Sequence, residues 1–134
     1  WENDAVTFYF DTANDRSGPY GADDHEIIID FFPHYGVYPT TNGTADPMLN
    51  ATRVDTTAGF IVETRILKTS LGTPTNGRMG FSWGIYDDDD AGTADGYGLW
   101  YERPAARCAS CCAGEDHAEA WCDTTMLGEL VFAN

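Results

Sequence analysis

The feature that most constrains the fold is a repeated alternation of apolar and polar residues, interrupted by clusters of Gly, Pro, Asn and Asp. In the first such segment, Val6, Phe8 and Phe10 fall on one side of an extended chain, as expected for a half-buried strand. Segments of this type are residues 5–11, 25–32, 59–66, 80–87, 97–102 and 127–132. Apolar residues nowhere recur at helical spacing over three turns, which disfavours helical and doubly wound folds. We predict an all-β fold, an antiparallel β-sandwich of jelly-roll or immunoglobulin-like type.

Two stretches depart from this alternation. Residues 33–57 show no sustained period, which predicts a long surface excursion with at most one short strand. Thr69 to Leu71, before Gly72, is predicted to form one helical turn. A chain of 134 residues has room for one core, so residues 1–134 are interpreted as a single domain with a Cys-rich loop inserted at about 103–122.

The charge of the chain excludes two classes of partner. It has 22 acidic and seven basic residues, a formal net charge of -15, which repels nucleic acid and anionic membrane surfaces. No apolar run is long enough to span a bilayer. This composition is typical of a secreted, extracellular protein whose carboxylates are balanced by divalent cations; the alternative is that the charge only maintains solubility.

Acidic residues concentrate in two predicted turns, and both are candidate calcium sites. Calcium prefers oxygen ligands in flexible loops. One turn follows the segment 80–87, and the other combines Asp11, Asn14 and Asp15 with Asp23 and Asp24. The expected metal ligands are Asp87, Asp88, Asp89, Asp90, Asp95, Asp11 and Asp15. The alternative is a pair of solvated acidic turns without a bound ion.

Four cysteines lie within fifteen positions near the C-terminus: Cys108, Cys111, Cys112 and Cys122. In a secreted chain they predict two disulfides, with three connectivities open. The alternative is a zinc site that includes His117. Disulfides would fix the loop that carries Trp121.

Tryptophans, not catalytic residues, are the candidate binding groups. No Ser/His or Cys/His triad spacing occurs, and the acidic residues are predicted in turns and not on inward-facing strand positions, so we do not expect an enzyme. Trp83 alternates with apolar neighbours and is predicted to be core. Trp1, Trp100 and Trp121 lie at segment ends or in turn-rich sequence. There they would stack on a sugar ring, unless they only cover the sandwich edges.

The segment Trp1–Asp11 resembles the strand opening of family 9 carbohydrate-binding modules. The similarity continues in order through Tyr20, Asp23–Asp24, Gly59–Glu63, Ile66, Leu71–Gly72, Gly80–Phe81, Asp87, Trp121 and Leu127–Leu130. The resemblance implies a calcium-containing, non-catalytic β-sandwich of the kind found beside polysaccharide-degrading enzymes. It also implies that Trp1 and Trp121 hold the end of a glucan or xylan chain between them.

This chain departs from the family pattern at the polar positions of that site. Thr7 stands where sugar-binding members have a glutamate, Ile28 and Asp30 replace an arginine and an asparagine, and Gly84 replaces a glutamine. The strands that normally precede the tryptophan equivalent to Trp1 are also missing. We therefore expect an incomplete sandwich. Either the chain is a fragment of a longer protein, or strands of a neighbouring molecule complete it, because an open sheet edge favours self-association.

The leading hypothesis is a calcium-stabilised module that binds a polysaccharide or glycan. Its expected sugar contacts are Trp1, Trp121, Thr7, Asp30 and Trp100. One alternative is a structural subunit of an extracellular filament or cell-surface assembly. Another is a haem-binding relative in which His25 pairs with Met79 or Met126. Neither the sugar, the disulfide pairing nor the number of ions follows from the sequence.

Overall fold

The structure, a computed structural model, describes residues 4–30, 36–40, 50–74, 76–87, 96–100 and 124–132. Its strands are rich in β-branched and aromatic residues, which favour extended backbone. They are β1 (Ala5–Asp11), β2 (Asp24–Asp30), β3 (Gly36–Thr40), β4 (Asn50–Thr56), β5 (Gly59–Arg65), β6 (Arg78–Asp87), β7 (Gly96–Leu99) and β8 (Gly128–Val131). A four-residue helix α1 (Lys68–Leu71) and a short 3₁₀ helix (Thr124–Met126) complete the described elements.

The strands form a larger and a smaller antiparallel sheet. The larger sheet has the order β3-β2-β1-β6-β7, and β8 also pairs with β6. β7 pairs with the second half of β6, whereas β8 pairs with its first half. The smaller sheet consists of β4 and β5. This arrangement confirms the predicted antiparallel all-β fold.

The inner face of the larger sheet, which carries Val6, Phe8 and Phe10 of β1, forms the core. Near one end, Val6 and Ile29 pack with Phe60 and Val62 of the smaller sheet. Nearer the other end, the buried residues are Phe10, Ile27, Leu71 and Met79. The two sheets are therefore held together by the apolar residues that the alternation predicts on one side of each strand.

β1 is buried on both faces, whereas the sequence predicted a half-buried strand. Six of its seven residues are buried. On the outer face of the larger sheet, Tyr9 packs with Leu127, and Tyr20 and Leu99 cover this pair. The alternation in β1 does not predict burial of its outer face, because the residues there, Thr7, Tyr9 and Asp11, are polar although they are buried.

The excursion predicted for residues 33–57 contains two strands, so this prediction was wrong. β4 pairs with β5 over seven residues, but its alternation is weak because Ala51 is its apolar contact with the core and Val54 is 57% exposed.

The helical turn before Gly72 is confirmed as α1, and Gly72 has a φ of 90° that suits glycine. Trp83, predicted to be core, is only partly buried. Among the described residues, no helix is long and apolar enough to cross a membrane.

The core predicts a large effect of truncating Phe10. Its ring is 4% exposed and lies 5.3 Å from that of Phe81. Phe10→Ala should lower the free energy of unfolding by about 3–5 kcal/mol, because it removes buried apolar surface and leaves a cavity. Ile61→Ala, at a position 57% exposed, should change it by less than about 0.5 kcal/mol. Urea denaturation measures both; equal losses would contradict this description of the core.

Candidate functional site

The outer face of the larger sheet brings together three positions at which the sequence departs from the family pattern. Thr7 pairs with Ile28 on one side and with Gly84 on the other, so the three residues lie in one row across β2, β1 and β6. Leu99 of β7 continues the row. Thr7 is fully buried, and its hydroxyl oxygen has no hydrogen-bond partner.

Three tyrosine hydroxyls converge on this face. The Tyr9 hydroxyl lies 2.9 Å from that of Tyr97 and 3.4 Å from that of Tyr86. The rings of Tyr86 and Tyr97 stack, with centroids 4.6 Å apart and planes inclined at 29°. Tyr9 is fully buried, whereas Tyr86 and Tyr97 are half-buried. We call Tyr9, Tyr86 and Tyr97 the tyrosine cluster.

The environment keeps the buried member of this cluster neutral. Burial raises the pKa of Tyr9 far above its usual value, and the neighbouring Tyr86 and Tyr97 raise it further. Tyr20, beside Tyr9, also has a raised pKa because of burial and the nearby charges of Glu26 and Asp24. A neutral phenol both donates and accepts a hydrogen bond.

At the other end of the same face, three carboxylates lie together. Oxygens of Asp11, Asp23 and Asp24 are within 4.8 Å of one another. Asp11 ends β1, Asp24 begins β2, and the two residues are paired in the sheet. Gly80 of β6, paired with Asp11 on its other side, leaves room for the Asp11 side chain, because a Cβ there would lie 2.9 Å from Cβ of Asp11. We call Asp11, Asp23 and Asp24 the carboxylate cluster.

The turn after β1 wraps around the carboxylate cluster. The backbone N–H groups of Asp15 and Arg16 donate to the two carboxylate oxygens of Asp11. Asn14 and Arg16 adopt positive φ values of 54° and 51°, which turn the chain back toward the sheet. The N–H of Ala13 donates to Asp23, and that of Gly21 donates to Asp24 at 2.6 Å.

These N–H groups do not fully offset the cost of burying the charges. Burial raises the pKa of Asp24 to about 6, against the lowering effect of the Gly21 N–H, and the neighbouring carboxylates Asp11 and Asp23 raise it further. Burial also raises the pKa of Asp11 despite its backbone hydrogen bonds. A cation at this position would therefore be favoured electrostatically.

The donor set suits a calcium ion. One carboxylate oxygen of Asp24, Oδ1, is buried without a hydrogen-bond partner, and buried polar atoms are rarely left without one. Calcium takes six to eight oxygen ligands, and its flexible geometry accepts carboxylates together with carbonyls or water. Asp11, Asp23 and Asp24 would hold it.

The cluster differs from the predicted ligand set in two respects. The acidic residues were placed in turns, whereas Asp11 and Asp24 lie in strands with fully buried side chains. Asp15, predicted as a ligand, is exposed and accepts a hydrogen bond from the Ser17 N–H. Asp23 and Asp24 belonged to the predicted acidic turn but not to the expected ligands. Asp24 reaches the cluster because it begins the strand that pairs with Asp11.

Several other predicted site residues can be placed only in part. Asp87 is exposed at the end of β6. Trp100 is 56% exposed, with its ring 6.0 Å from that of Phe81. The following lie outside the described residues: Trp1, Trp121, Asp88, Asp89, Asp90, Asp95, Cys108, Cys111, Cys112, His117, Cys122, and the side chains of Asp30 and Met126.

Two residues of the haem alternative, Met79 and His25, have structural contacts. Met79 is 1% exposed in the core. Nε2 of His25 lies 3.1 Å from the Leu71 carbonyl oxygen. These contacts give both side chains a role in packing β1 and β2 against α1.

The turn around the carboxylate cluster is tied to the C-terminal segment. The Arg16 guanidinium donates to the Leu127 carbonyl at 2.6 Å. The Thr124 N–H donates to the Gly18 carbonyl at 2.9 Å, and the Thr124 side chain is fully buried. Thr124 follows Trp121 by three residues, so these bonds anchor the chain next to a candidate sugar-binding tryptophan.

Comparisons with known proteins give a consistent result. Residues 1–134 match the family described as carbohydrate family 9 binding domain-like. Two solved structures of a carbohydrate binding module family 9 from Caldicellulosiruptor kristjanssonii, in complex with cellotriose and with glucose, have TM-scores of 0.67 and 0.66 and 22% identity. The match covers 96% of this chain and 56% and 58% of theirs. No curated protein matches the sequence.

The carboxylate cluster predicts an unusual response to removing one charge. In the presence of a chelator at neutral pH, Asp24→Asn should raise the free energy of unfolding, because the amide can still accept from the Gly21 N–H but carries no buried charge. For the unaltered chain in chelator, the raised pKa of Asp24 means that stability falls as the pH rises through about 6. Glu63→Gln, at an exposed position, is the control. A loss of stability in Asp24→Asn measured by urea denaturation would refute the electrostatic argument.

Proposed function

The chain belongs to the carbohydrate family 9 binding domain-like family, and from that membership we propose that it binds a neutral polysaccharide or glycan without catalysing a reaction. The family match over residues 1–134 is the observation that carries the proposal. Two similar structures hold cellotriose and glucose, which makes cello-oligosaccharides the first ligands to test.

Charge narrows the class of saccharide. A net charge of -15 repels uronate-rich and sulfated polymers. Glu26 lies on the outer face beside Tyr9, and Asp11 and Asp24 lie on the same face. Saccharide binding there would rely on aromatic stacking and neutral hydrogen bonds, so we favour an uncharged glycan.

Trp1 and Trp121 are the proposed stacking residues, as the family resemblance implies. Thr124, close after Trp121, is fixed by its hydrogen bonds to Gly18. Trp100, also predicted as a sugar contact, is more than half exposed, but its ring lies beside Phe81, which pairs with Phe10 of the inner face. The proposed outer-face contacts therefore do not include it. Asp30, paired with Ala5 in the sheet, is the proposed polar contact.

The described carboxylates support a binding function and not catalysis. A glycosidase needs one carboxyl group as acid and a second as base or nucleophile, both in reach of the scissile bond. Asp11 and Asp24 are fully buried, and backbone N–H groups occupy both oxygens of Asp11. Their arrangement suits an ion better than a substrate.

We further propose that calcium binds the carboxylate cluster and stabilises the surrounding turns. The ion would neutralise the buried charges of Asp11, Asp23 and Asp24. Through Arg16 and Gly18 it would also secure the segment after Trp121.

The location outside the cell and the disulfides among Cys108, Cys111, Cys112 and Cys122 remain part of the proposal. The filament alternative receives less support because the matched family is defined by carbohydrate binding.

Affinity electrophoresis in gels that contain a soluble cellulose derivative tests the sugar proposal. The chain should be retarded, and Trp121→Ala should weaken binding at least about tenfold, because one stacking surface is lost. Ile61→Ala, on the smaller sheet, should be retarded like the unaltered chain. Equal retardation of Trp121→Ala and the unaltered chain would rule out the assigned stacking residue. No retardation by any neutral polysaccharide would rule out the function.

Thermal and chemical denaturation in calcium and in chelator test the ion. At a calcium concentration of about 100 times the dissociation constant, stabilisation of about 2.7 kcal/mol is expected for one site. Asp11→Asn should remove most of this increment, whereas Glu63→Gln should retain it. An unchanged calcium response in Asp11→Asn would show that any ion binds elsewhere, for example near Asp87.

A further inference from the structure

At Thr7, Ile28 and Gly84 the outer face lacks the glutamate, arginine and glutamine of the family pattern, but other polar groups lie nearby. In the row that contains Thr7 and Gly84, neither residue presents a polar group on the surface, because Thr7 is buried and Gly84 has no side chain. One row further along, Tyr86 pairs with Ala5 and with Tyr97. Tyr86 and Tyr97 therefore place two phenol side chains in the neighbouring row of the outer face.

Gly84 is what allows the cluster to form. A Cβ at this position would lie 3.0 Å from Cε2 of Tyr97, 3.0 Å from the Gly98 carbonyl oxygen and 3.2 Å from Cδ2 of Leu99. These separations are too short for ordinary packing. The ring of Tyr97 thus uses the space that a side chain at position 84 would fill, and it brings the hydroxyl to Tyr9.

The cluster has the layered form of a binding surface. Tyr9 lies beneath and is fully buried, whereas the stacked Tyr86 and Tyr97 are half-buried. Because Tyr9 contacts both of the other hydroxyls, it fixes their positions before any ligand arrives. Preorganised polar groups at the base of an aromatic surface are typical of ligand sites.

The chemistry of the cluster matches a sugar hydroxyl. Each phenol can donate one hydrogen bond and accept others, as can each hydroxyl of a neutral saccharide. The raised pKa of Tyr9 keeps that group protonated. The acidic neighbours Glu26, Asp24 and Asp11 disfavour an anionic ligand.

We propose that the hydroxyls of Tyr86 and Tyr97, positioned by Tyr9, hydrogen-bond to a neutral saccharide on the outer face and replace the glutamate, arginine, asparagine and glutamine of related sites. Gly84 determines this specificity because it admits the ring of Tyr97. The inference rests on the proposed carbohydrate-binding function and assigns its polar contacts to residues that the family resemblance does not indicate.

Isothermal titration calorimetry with cellotriose and with glucose tests the assignment. Tyr97→Phe and Tyr86→Phe retain the rings and remove one hydroxyl each, so each should weaken binding about five- to tenfold. Gly84→Ala should weaken binding as well, because it displaces Tyr97. Thr52→Val is the matched control: it removes a hydroxyl from an exposed position on the smaller sheet and should bind as the unaltered chain does.

A spectroscopic measurement separates direct contact from a structural role. Saturating cellotriose should produce a tyrosine band in the ultraviolet difference spectrum, and Tyr97→Phe should reduce it. Urea denaturation of the two Tyr→Phe variants establishes that they remain folded under the binding conditions.

The outcomes distinguish this inference from the proposed function. If the unaltered chain binds cellotriose and Trp121→Ala weakens binding while both Tyr→Phe variants bind normally, the tyrosine assignment is wrong and the carbohydrate-binding function stands. If the unaltered chain binds neither cellotriose, glucose nor a soluble cellulose derivative, both are wrong.

Discussion

The structure depends on the burial of β1 on both of its faces. Its edges are paired with β2 and β6 over all seven residues, and its inner face contributes Val6 and Phe10 to the core. Such a strand usually reads as a continuous apolar run. Here the outward residues Thr7, Tyr9 and Asp11 are polar. The Thr7 hydroxyl is buried without a hydrogen-bond partner, whereas neighbouring tyrosines offset the burial of Tyr9 and backbone N–H groups offset that of Asp11.

The burial of Tyr9 and Asp11 links the two ends of the outer face. At one end, Tyr9 satisfies its hydroxyl through Tyr86 and Tyr97, two half-buried groups at the proposed saccharide surface. At the other end, Asp11 is held by backbone N–H groups beside Asp23 and Asp24, where the proposed calcium would supply the missing positive charge. The residues that stabilise the buried outer face of β1 are therefore the same residues that form the proposed saccharide and calcium sites.

Hydrogen bonds extend from the proposed ion site to the C-terminal segment. The turn around the carboxylate cluster reaches the C-terminal segment through Arg16 and Gly18, and Thr124 lies three residues after Trp121. An ion at the proposed site would stabilise the turn whose residues hold Thr124 and Leu127.

Alternation of period two was sufficient to predict β1, β2, β5, β6 and β8, because one side of each strand faces the core and selects apolar residues there. It also predicted a strand at residues 97–102, which overlaps β7. The resemblance of Trp1–Asp11 and later motifs was likewise sufficient to indicate the family. β4 was missed because it presents Ala51 inward and Val54 outward, with no apolar period. The pairing of Asp11 with Asp24 and the convergence of Tyr9, Tyr86 and Tyr97 join residues distant in the sequence, so they depended on strand register, and only the tertiary structure established it.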